Sequence, residues 1–291
     1  MTGRWALKRV LKWGVEWSME LSGAGFLYRR TRAFRSGCRI LTYHRVANRP
    51  QDSYTVRTDH FREQMAFLSD HYRVLDLMEL VRELQSNRGE SAQGVAVTFD
   101  DGYAEAATTV REILERYAIP ATFFLVTSFL DRGGQAPGGP FLTWDQAREL
   151  AAAGFSIGSH TVTHRSLGEL NASQIEEELK TPRDRIVREL GVSPCGLSYP
   201  YGTVRDFSPL IAHAARTAGY EYAVTAVNGL NHRGCDPFTL RRTSLMAGDG
   251  PRTFRMILGG NLDPWVLVDR WAYRFQRKYD APVGREDRPP T

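Results

Sequence analysis

Short apolar runs alternate with longer amphipathic stretches along most of the chain. "RILTYH" (39–44) reads as a strand, and "TDHFREQMAFLSDHY" (58–72) reads as a helix opened by a capping Thr58. "VLD" (74–76) leads into the helical pattern "LMELVRELQ". "VAVTFDD" is then a strand, "YAEAATTVREILERYA" a helix and "PATFFLVT" a strand. "LTWDQARELAAAG" is a helix ended by Gly154, and "FSIGSHT" follows as a strand. "NASQIEEELKTPRDRIVREL" is a helix running to Gly191, with a disturbance expected at Pro182. "GLSYPYG", "SPLIAHAARTAG", "YEYAVTA" and "FTLRRTSL" continue as strand, helix, strand and strand, and "PRTFRMILGG" is the last core element. This alternation predicts an α/β fold, a parallel sheet covered by helices. About seven strand signals with single helices between them favour a closed or nearly closed barrel.

The glycine-proline segment "DRGGQAPGGP" (131–140) and "VNGLNHRGCDP" (227–237) read as mobile rim loops, with His232 in the second. The partition expected is a basic amphipathic arm (1–36), one catalytic domain (37–262) and a C-terminal helix and tail (263–291). With 291 residues, 42% of them hydrophobic and 24% charged, the chain can bury a large core without staples. Cys38, Cys195 and Cys235 show neither metal-site spacing nor a disulfide framework.

The net charge of +5 is uneven: the arm carries eight basic residues against two acidic, so the other 255 residues sum to −1. A nucleic-acid reader carries its basic face on the fold itself, so no nucleic-acid partner is expected. In the arm, Lys8, Lys12, Glu16 and Glu20 recur once per helical turn, and Trp5, Leu7, Val10, Leu11, Val15, Trp17 and Leu21 fill the remaining circumference. The arm is too charged to span a bilayer and is a poor signal peptide. It reads either as a helix lying in a membrane interface or as one packed on the outside of the domain. The expected location is therefore cytoplasmic or peripheral to a membrane.

In folds of this kind ligands bind at the carboxyl ends of the strands. His44, Asp100, Asp101, His160, His164 and the "YPYG" turn all close, or lie just past, an apolar strand signal. Asp100 and Asp101 repel one another there, and one would stay protonated unless a cation compensates. His160 and His164 are four apart, a spacing that is weak by itself. With a carboxylate from another strand end they make two nitrogens and one oxygen, a three-ligand site with open positions suited to hydrolysis.

"TFDDG", "SHTVTH" and "YPYG", in that order, resemble the polysaccharide deacetylases, the NodB-like domain of carbohydrate esterase family 4. The resemblance implies a distorted (β/α)7 barrel, here with helical extensions at both ends, and one divalent metal ion, usually Zn2+ (Co2+, Ni2+ or Fe2+ being accepted by the same donors). It implies removal of an acyl group, usually acetyl, from an N-acylated sugar of a polysaccharide or lipid-linked glycan. By motif position Asp100 would be the general base, and Asp101, His160 and His164 the metal ligands. The backbone N–H of Tyr201 would hold the oxyanion, with Pro200 and Gly202 shaping its turn. Tyr103 and Trp144 could offer faces to a sugar ring.

Two departures stand out. Where many members have an arginine before the third motif this chain has Ser198, and Arg242 in "TLRRTSL" is the candidate to steady Asp100. No histidine follows that strand; His44 of "LTYHRV" is the candidate acid, as in the circularly permuted branch of the family. A deformylase, an O-acyl esterase and a silent glycan- or membrane-binding module remain as alternatives.

Overall fold

The computed structural model describes residues 3–86 and 94–275. The side chains of Trp5, Leu7 and Lys8, and the tail from residue 276, lie outside the described residues.

Seven strands form one parallel sheet: β1 (Arg39–Tyr43), β2 (Val95–Phe99), β3 (Ala121–Leu125), β4 (Ser156–Ser159), β5 (Gly196–Ser198), β6 (Tyr222–Val224) and β7 (Thr243–Ser244). Their spatial order is β6-β5-β4-β3-β2-β1-β7. Register pairs Tyr43 with Phe99, Thr98 with Thr122, Thr122 with Ser156, Ser159 with Leu197, and Leu41 with Thr243. The segment before β7 also pairs with β6, through Thr225 N–H to Leu240 O at 2.8 Å and Leu240 N–H to Ala223 O at 3.1 Å. One stretch of chain thus touches both sheet edges and draws the curled sheet into a barrel, as the alternation predicts. It is split between two neighbours, so only Thr243–Ser244 pairs with β1.

β1, β2 and β3 are buried along their whole length, as parallel strands covered on both sides must be. Their side chains alternate. Leu41, Tyr43, Val95, Val97, Phe99, Phe123 and Ile157 share an outer core with the helices. That layer is covered by α3 (Thr58–His71), α5 (Thr109–Arg116), α6 (Trp144–Ala152), α7 (Ala172–Leu190) and, after β7, Pro251–Leu258. Ile40, Ala96, Phe124, Tyr222 and Leu240 form a second cluster with α4 (Leu77–Gln85), which fills the barrel from below. Gly158 belongs to the inward set, where a Cβ would stand 2.3 Å from the Phe124 ring. Continuing the period of two, His44, Asp100, His160, Ser198 and Arg242 have the inward parity.

Several local expectations are corrected. The stretch 103–118 is not one helix: a 3-10 turn (Ala104–Ala107) and α5 are separated by Thr108 at φ −123°, ψ −100°. Tyr103 bridges to Phe141 and Ala104 N–H donates to Pro140 O, which holds the front half off the helix axis. Thr58 does not cap α3; Thr55–Arg57 is paired with Arg45–Ala47, so extended backbone persists to Arg57 and the helix begins at Thr58. α7 runs unbroken through Pro182, anchored by a capping box at Asn171 and Gln174, by burial of Leu179 and Ile186, and by Gly191 at φ 68°. The 227–237 segment is no rim loop. Asn231 exchanges backbone bonds with Cys38 at the foot of β1, and Asn228 N–H donates to Asp269, so His232 sits beside Gly37, away from the strands' carboxyl ends.

The arm packs on the barrel. α1 (Gly3–Leu21) and α2 (Ala24–Arg29) are held chiefly by Asn261, whose side chain donates to Glu20 at 2.8 Å and accepts from Arg29 at 3.2 Å. Asp263 accepts from Tyr28 at 3.0 Å and from Arg39 at 2.8 Å. α1 turns Lys12 and Glu16 inward, leaving Glu16 1% exposed. Burial first, then the neighbouring Asp249, push the Glu16 carboxyl up to about 8, against a lowering by Lys12. A carboxyl raised on folding contributes its stability in the protonated form and loses it as pH rises from the unfolded value of about 4.3 through the folded one, at most about 1.4 kcal/mol per unit crossed. Glu16→Gln is therefore expected to raise the melting temperature at pH 8 and to change it little at pH 5, measured by thermal melts across that range.

Candidate active site

Four strand ends meet at the carboxyl rim. β2 delivers Asp100 and Asp101, β4 delivers His160 and the loop to His164, β5 delivers Ser198 and the 199–202 turn, and β1 delivers His44. Tyr43 O accepts from Asp100 N–H at 3.0 Å, which places His44 and Asp100 side by side.

Arg242 rises through the barrel interior, 2% exposed. Its Nε donates to Thr225 O at 2.8 Å. Nη1 donates to Thr98 Oγ1 at 3.3 Å and Asp100 Oδ1 at 2.8 Å, and Nη2 to Asp100 Oδ2 at 2.7 Å and Ser198 Oγ at 2.9 Å. All five guanidinium donors are thus used, and the bidentate fork fixes the plane of the Asp100 carboxylate. Ser198 Oγ in turn donates to Asp100 Oδ2 at 3.2 Å. The short Ser198 side chain leaves room for the Arg242 fork and bonds to both its members, Arg242 and Asp100. Burial pushes the Asp100 carboxyl up, but Arg242, then His160, outweigh it and hold the group below its ordinary value.

Asp101 faces the two histidines. Its Oδ1 lies 3.4 Å from His160 Nε2 and 3.3 Å from His164 Nε2, and the three ligand atoms fall within 4.8 Å of one another. His160 Nδ1 is 2.7 Å from Ser198 O, a carbonyl that can only accept, so Nδ1 carries a hydrogen, and in the neutral ring Nε2 would present its lone pair toward Asp101. Asp101 Oδ1 is buried and makes no hydrogen bond among the described residues. A cation between these three atoms would satisfy that oxygen, and two imidazoles with one carboxylate are the donor set of a hydrolytic zinc-type site. The residues fit such an ion.

Four of the five residues other than glycine with positive φ among the described residues, Asp101 (70°), Thr161 (69°), His164 (60°) and Tyr201 (62°), stand at this rim. Such backbone is costly and persists where the surroundings over-determine it. The surroundings are visible here. Glu178 of α7, buried, accepts from Val162 N–H at 2.8 Å and Thr163 N–H at 3.0 Å and also binds the Thr163 hydroxyl. Asp206, also buried, accepts from Ser166 at 2.5 Å and from Thr203 N–H at 2.8 Å, joining the histidine loop to the 199–202 turn. Sequence reasoning missed both acids. Glu178 sits in a run of charged helical positions with nothing local to mark it as buried.

The remaining site candidates are placed as follows. The Tyr201 ring packs edge-on to His164, centroids 5.0 Å apart, and Pro200 is buried behind it. Gly202, at φ 59°, lies where a Cβ would come 2.5 Å from Ala226 N, so only glycine lets the turn close. The His44 ring stacks near Tyr54 with Nδ1 buried and unpartnered; burial lowers its pKa, with Asp101 and Asp100 acting in the opposite sense. Tyr103 is corrected as a sugar platform. It is 8% exposed, stacked on Phe141 at 4.8 Å with the Arg45 guanidinium 4.6 Å over the ring, because the bridge to Phe141 pulls it into the wall. Trp144 likewise packs under Arg185 and donates to Asp131.

Fold and site together define a barrel hydrolase of the (β/α)7 type with its chemistry at the strands' carboxyl ends. A family profile for polysaccharide deacetylases matches residues 87–223, which include Asp100, Asp101, His160, His164 and Tyr201 but not His44 or Arg242. A Bacillus subtilis protein that carries a polysaccharide deacetylase name, YxkH, is 28% identical over 210 residues, covering 72% of this chain and 71% of that one. The poly-β-1,6-N-acetyl-D-glucosamine N-deacetylase of Escherichia coli is 30% identical over 139 residues, 43% of this chain but only 21% of that longer protein. The Streptococcus pyogenes deacetylase PplD in complex with acetate superposes with a TM-score of 0.68 at 24% identity, covering 76% of this chain and 98% of the other. Residues 87–223 thus match the polysaccharide deacetylase family, and the chain is an enzyme of that class.

Proposed function

We propose that this chain is a metal-dependent N-deacetylase acting on an N-acetylated hexosamine polymer or lipid-linked glycan. The observation that carries the reading is the unpaired, buried Asp101 oxygen between His160 and His164, beside an aspartate locked by Arg242. The glycan class is supported by the name of the Escherichia coli relative.

Asp101, His160 and His164 would hold the divalent ion, which when bound supplies Lewis-acid polarisation of a carbonyl and acidification of water. Asp100 takes the proton of the attacking water as general base. Its low pKa keeps it ionised, and its Oδ1, which accepts one bond, from Arg242, has capacity left for that proton. The Tyr201 N–H, held in place by its left-handed backbone, stabilises the developing oxyanion, a contribution of about 3–4 kcal/mol for a positioned donor. His44 delivers a proton to the departing amine.

The test measures metal content and turnover of N-acetyl, N-formyl and O-acetyl sugars by wild type, Asp101→Ala and His44→Ala. Wild type is expected to bind one equivalent of divalent metal and prefer the N-acetyl amide, and Asp101→Ala to lose both metal and turnover. His44→Ala is expected to lose ~10²–10⁴-fold on the amide while keeping activity on p-nitrophenyl acetate, whose leaving group needs no proton. Full amide turnover by metal-free protein would refute the reading. A preference for the formyl or O-acetyl substrate would move it to the deformylase or esterase alternative.

A further inference from the structure

α1 is inside out. Val10, Gly14, Trp17 and Leu21 follow an i, i+4, i+7, i+11 spacing and so form one stripe, and that stripe faces solvent. Leu21 is 80% exposed and Val10 58%, while Lys12 and Glu16 on the opposite side are 8% and 1% exposed. A surface helix ordinarily does the reverse. The apolar face continues into α2, where Phe26 and Leu27 are 52% and 67% exposed.

The surroundings of that face are cationic. The Arg252 guanidinium lies 4.4 Å over the Trp17 ring, and that of Arg30 lies 4.2 Å over Phe26. Arg30, Arg32 and Arg35 are exposed in the segment that follows. Apolar side chains with arginines at their margin match the boundary between acyl chains and anionic headgroups. A second copy of the chain matches poorly, since pairing two such faces would bring together two arms of net charge +6 each.

Among the described residues no helix is long and apolar enough to cross a membrane. We propose that the outward face of the arm, centred on Val10, Trp17, Leu21, Phe26 and Leu27, docks on an anionic lipid bilayer without spanning it. The placement of α1 sets the orientation. Lys12 Nζ reaches Ser244 O at 3.5 Å and the Met246 sulfur at 3.7 Å, both at the carboxyl end of β7, whereas Glu20 is tied to Asn261 beyond the following helix. The amino-terminal half of α1 therefore stands beside the rim that carries Asp100 and His44, and docking brings that rim to the bilayer surface.

The experiment is co-sedimentation of the full chain with vesicles of phosphatidylcholine alone and of phosphatidylcholine with phosphatidylglycerol. Binding is expected only with the anionic lipid, to weaken with added salt, and to fall by roughly tenfold or more in L21S/F26S/L27S. These side chains are exposed, so the variant should melt like wild type and keep its turnover of a soluble acetylated oligosaccharide. No binding to anionic vesicles, or equal binding by the variant, overturns the proposal. So does a concentration-dependent dimer in vesicle-free solution that the triple variant abolishes, which would make a second copy the occupant.

Discussion

Asp100→Asn is expected to lower the deacetylation kcat by ~10²–10⁴-fold, the range for a positioned general base, with metal content unchanged. The two carboxylates divide here. Asp101 turns away through its positive φ to meet the imidazoles, while Asp100 keeps the inward parity of β2 and meets Arg242. Asparagine preserves the shape but cannot take up the water's proton. Its amide N–H2 also points donors at a guanidinium and a hydroxyl that already donate, so one hydrogen bond of the fork is lost and the guanidinium loses its counter-charge. Stability should fall with activity, and the two readouts must be separated. Turnover is compared at a temperature where circular dichroism shows the variant folded, and metal is counted on the same sample. A folded, metal-loaded Asp100→Asn enzyme working within tenfold of wild type would remove Asp100 from the base role. Loss of the metal along with activity would instead indicate that the second aspartate contributes to holding the ion.

The parts of this site differ in how far the sequence exposes them. Each strand is an apolar run closed by a polar residue, and a period of two carries side chains such as Thr98 and Asp100 to one face, so the rim is legible residue by residue. The pairing of β1 with β7 follows from the closure of a barrel. What escapes is whatever depends on the third dimension. Glu178 reads as one more charge in "EEELK" and is buried only because α7 passes under the histidine loop. Asp206 lies in a turn with no periodic signal and acts by joining two loops that meet only in the fold. The arm shows a charged stripe and an apolar one, and the pattern does not say which faces the barrel. Lys12 is fixed by Ser244 and Met246 and the Glu16 backbone by Asn261, all more than 225 residues away in sequence. Tyr103 misleads for the related reason that an aromatic beside a motif looks the same in sequence whether its face is open or covered by Phe141.

Arg242→Met is expected to cost ~3–5 kcal/mol of stability, the loss seen when one partner of a buried ion pair is removed. Asp100, 3% exposed, would then have burial pushing its pKa up with the main opposing charge gone. In the wild type the carboxyl is held below its ordinary value, so the pair contributes stability above the unfolded value of about 3.9 and loses it as pH falls through the folded one. In the variant burial is opposed mainly by His160 and His44, so the folded pKa rises, stability falls less steeply as pH drops and less of the base is ionised at neutral pH. Turnover should therefore collapse near pH 7 and recover in part at alkaline pH, a profile that mere loosening of the barrel would not produce. Combining Arg242→Met with Asp100→Asn supplies the control, because removing both charges leaves no buried ion uncompensated. The double variant should be more stable than Arg242→Met alone by urea denaturation, although inactive. If the two losses simply add, the fork between Arg242 and Asp100 is not what holds the carboxylate ionised, and the roles assigned to both residues fall together.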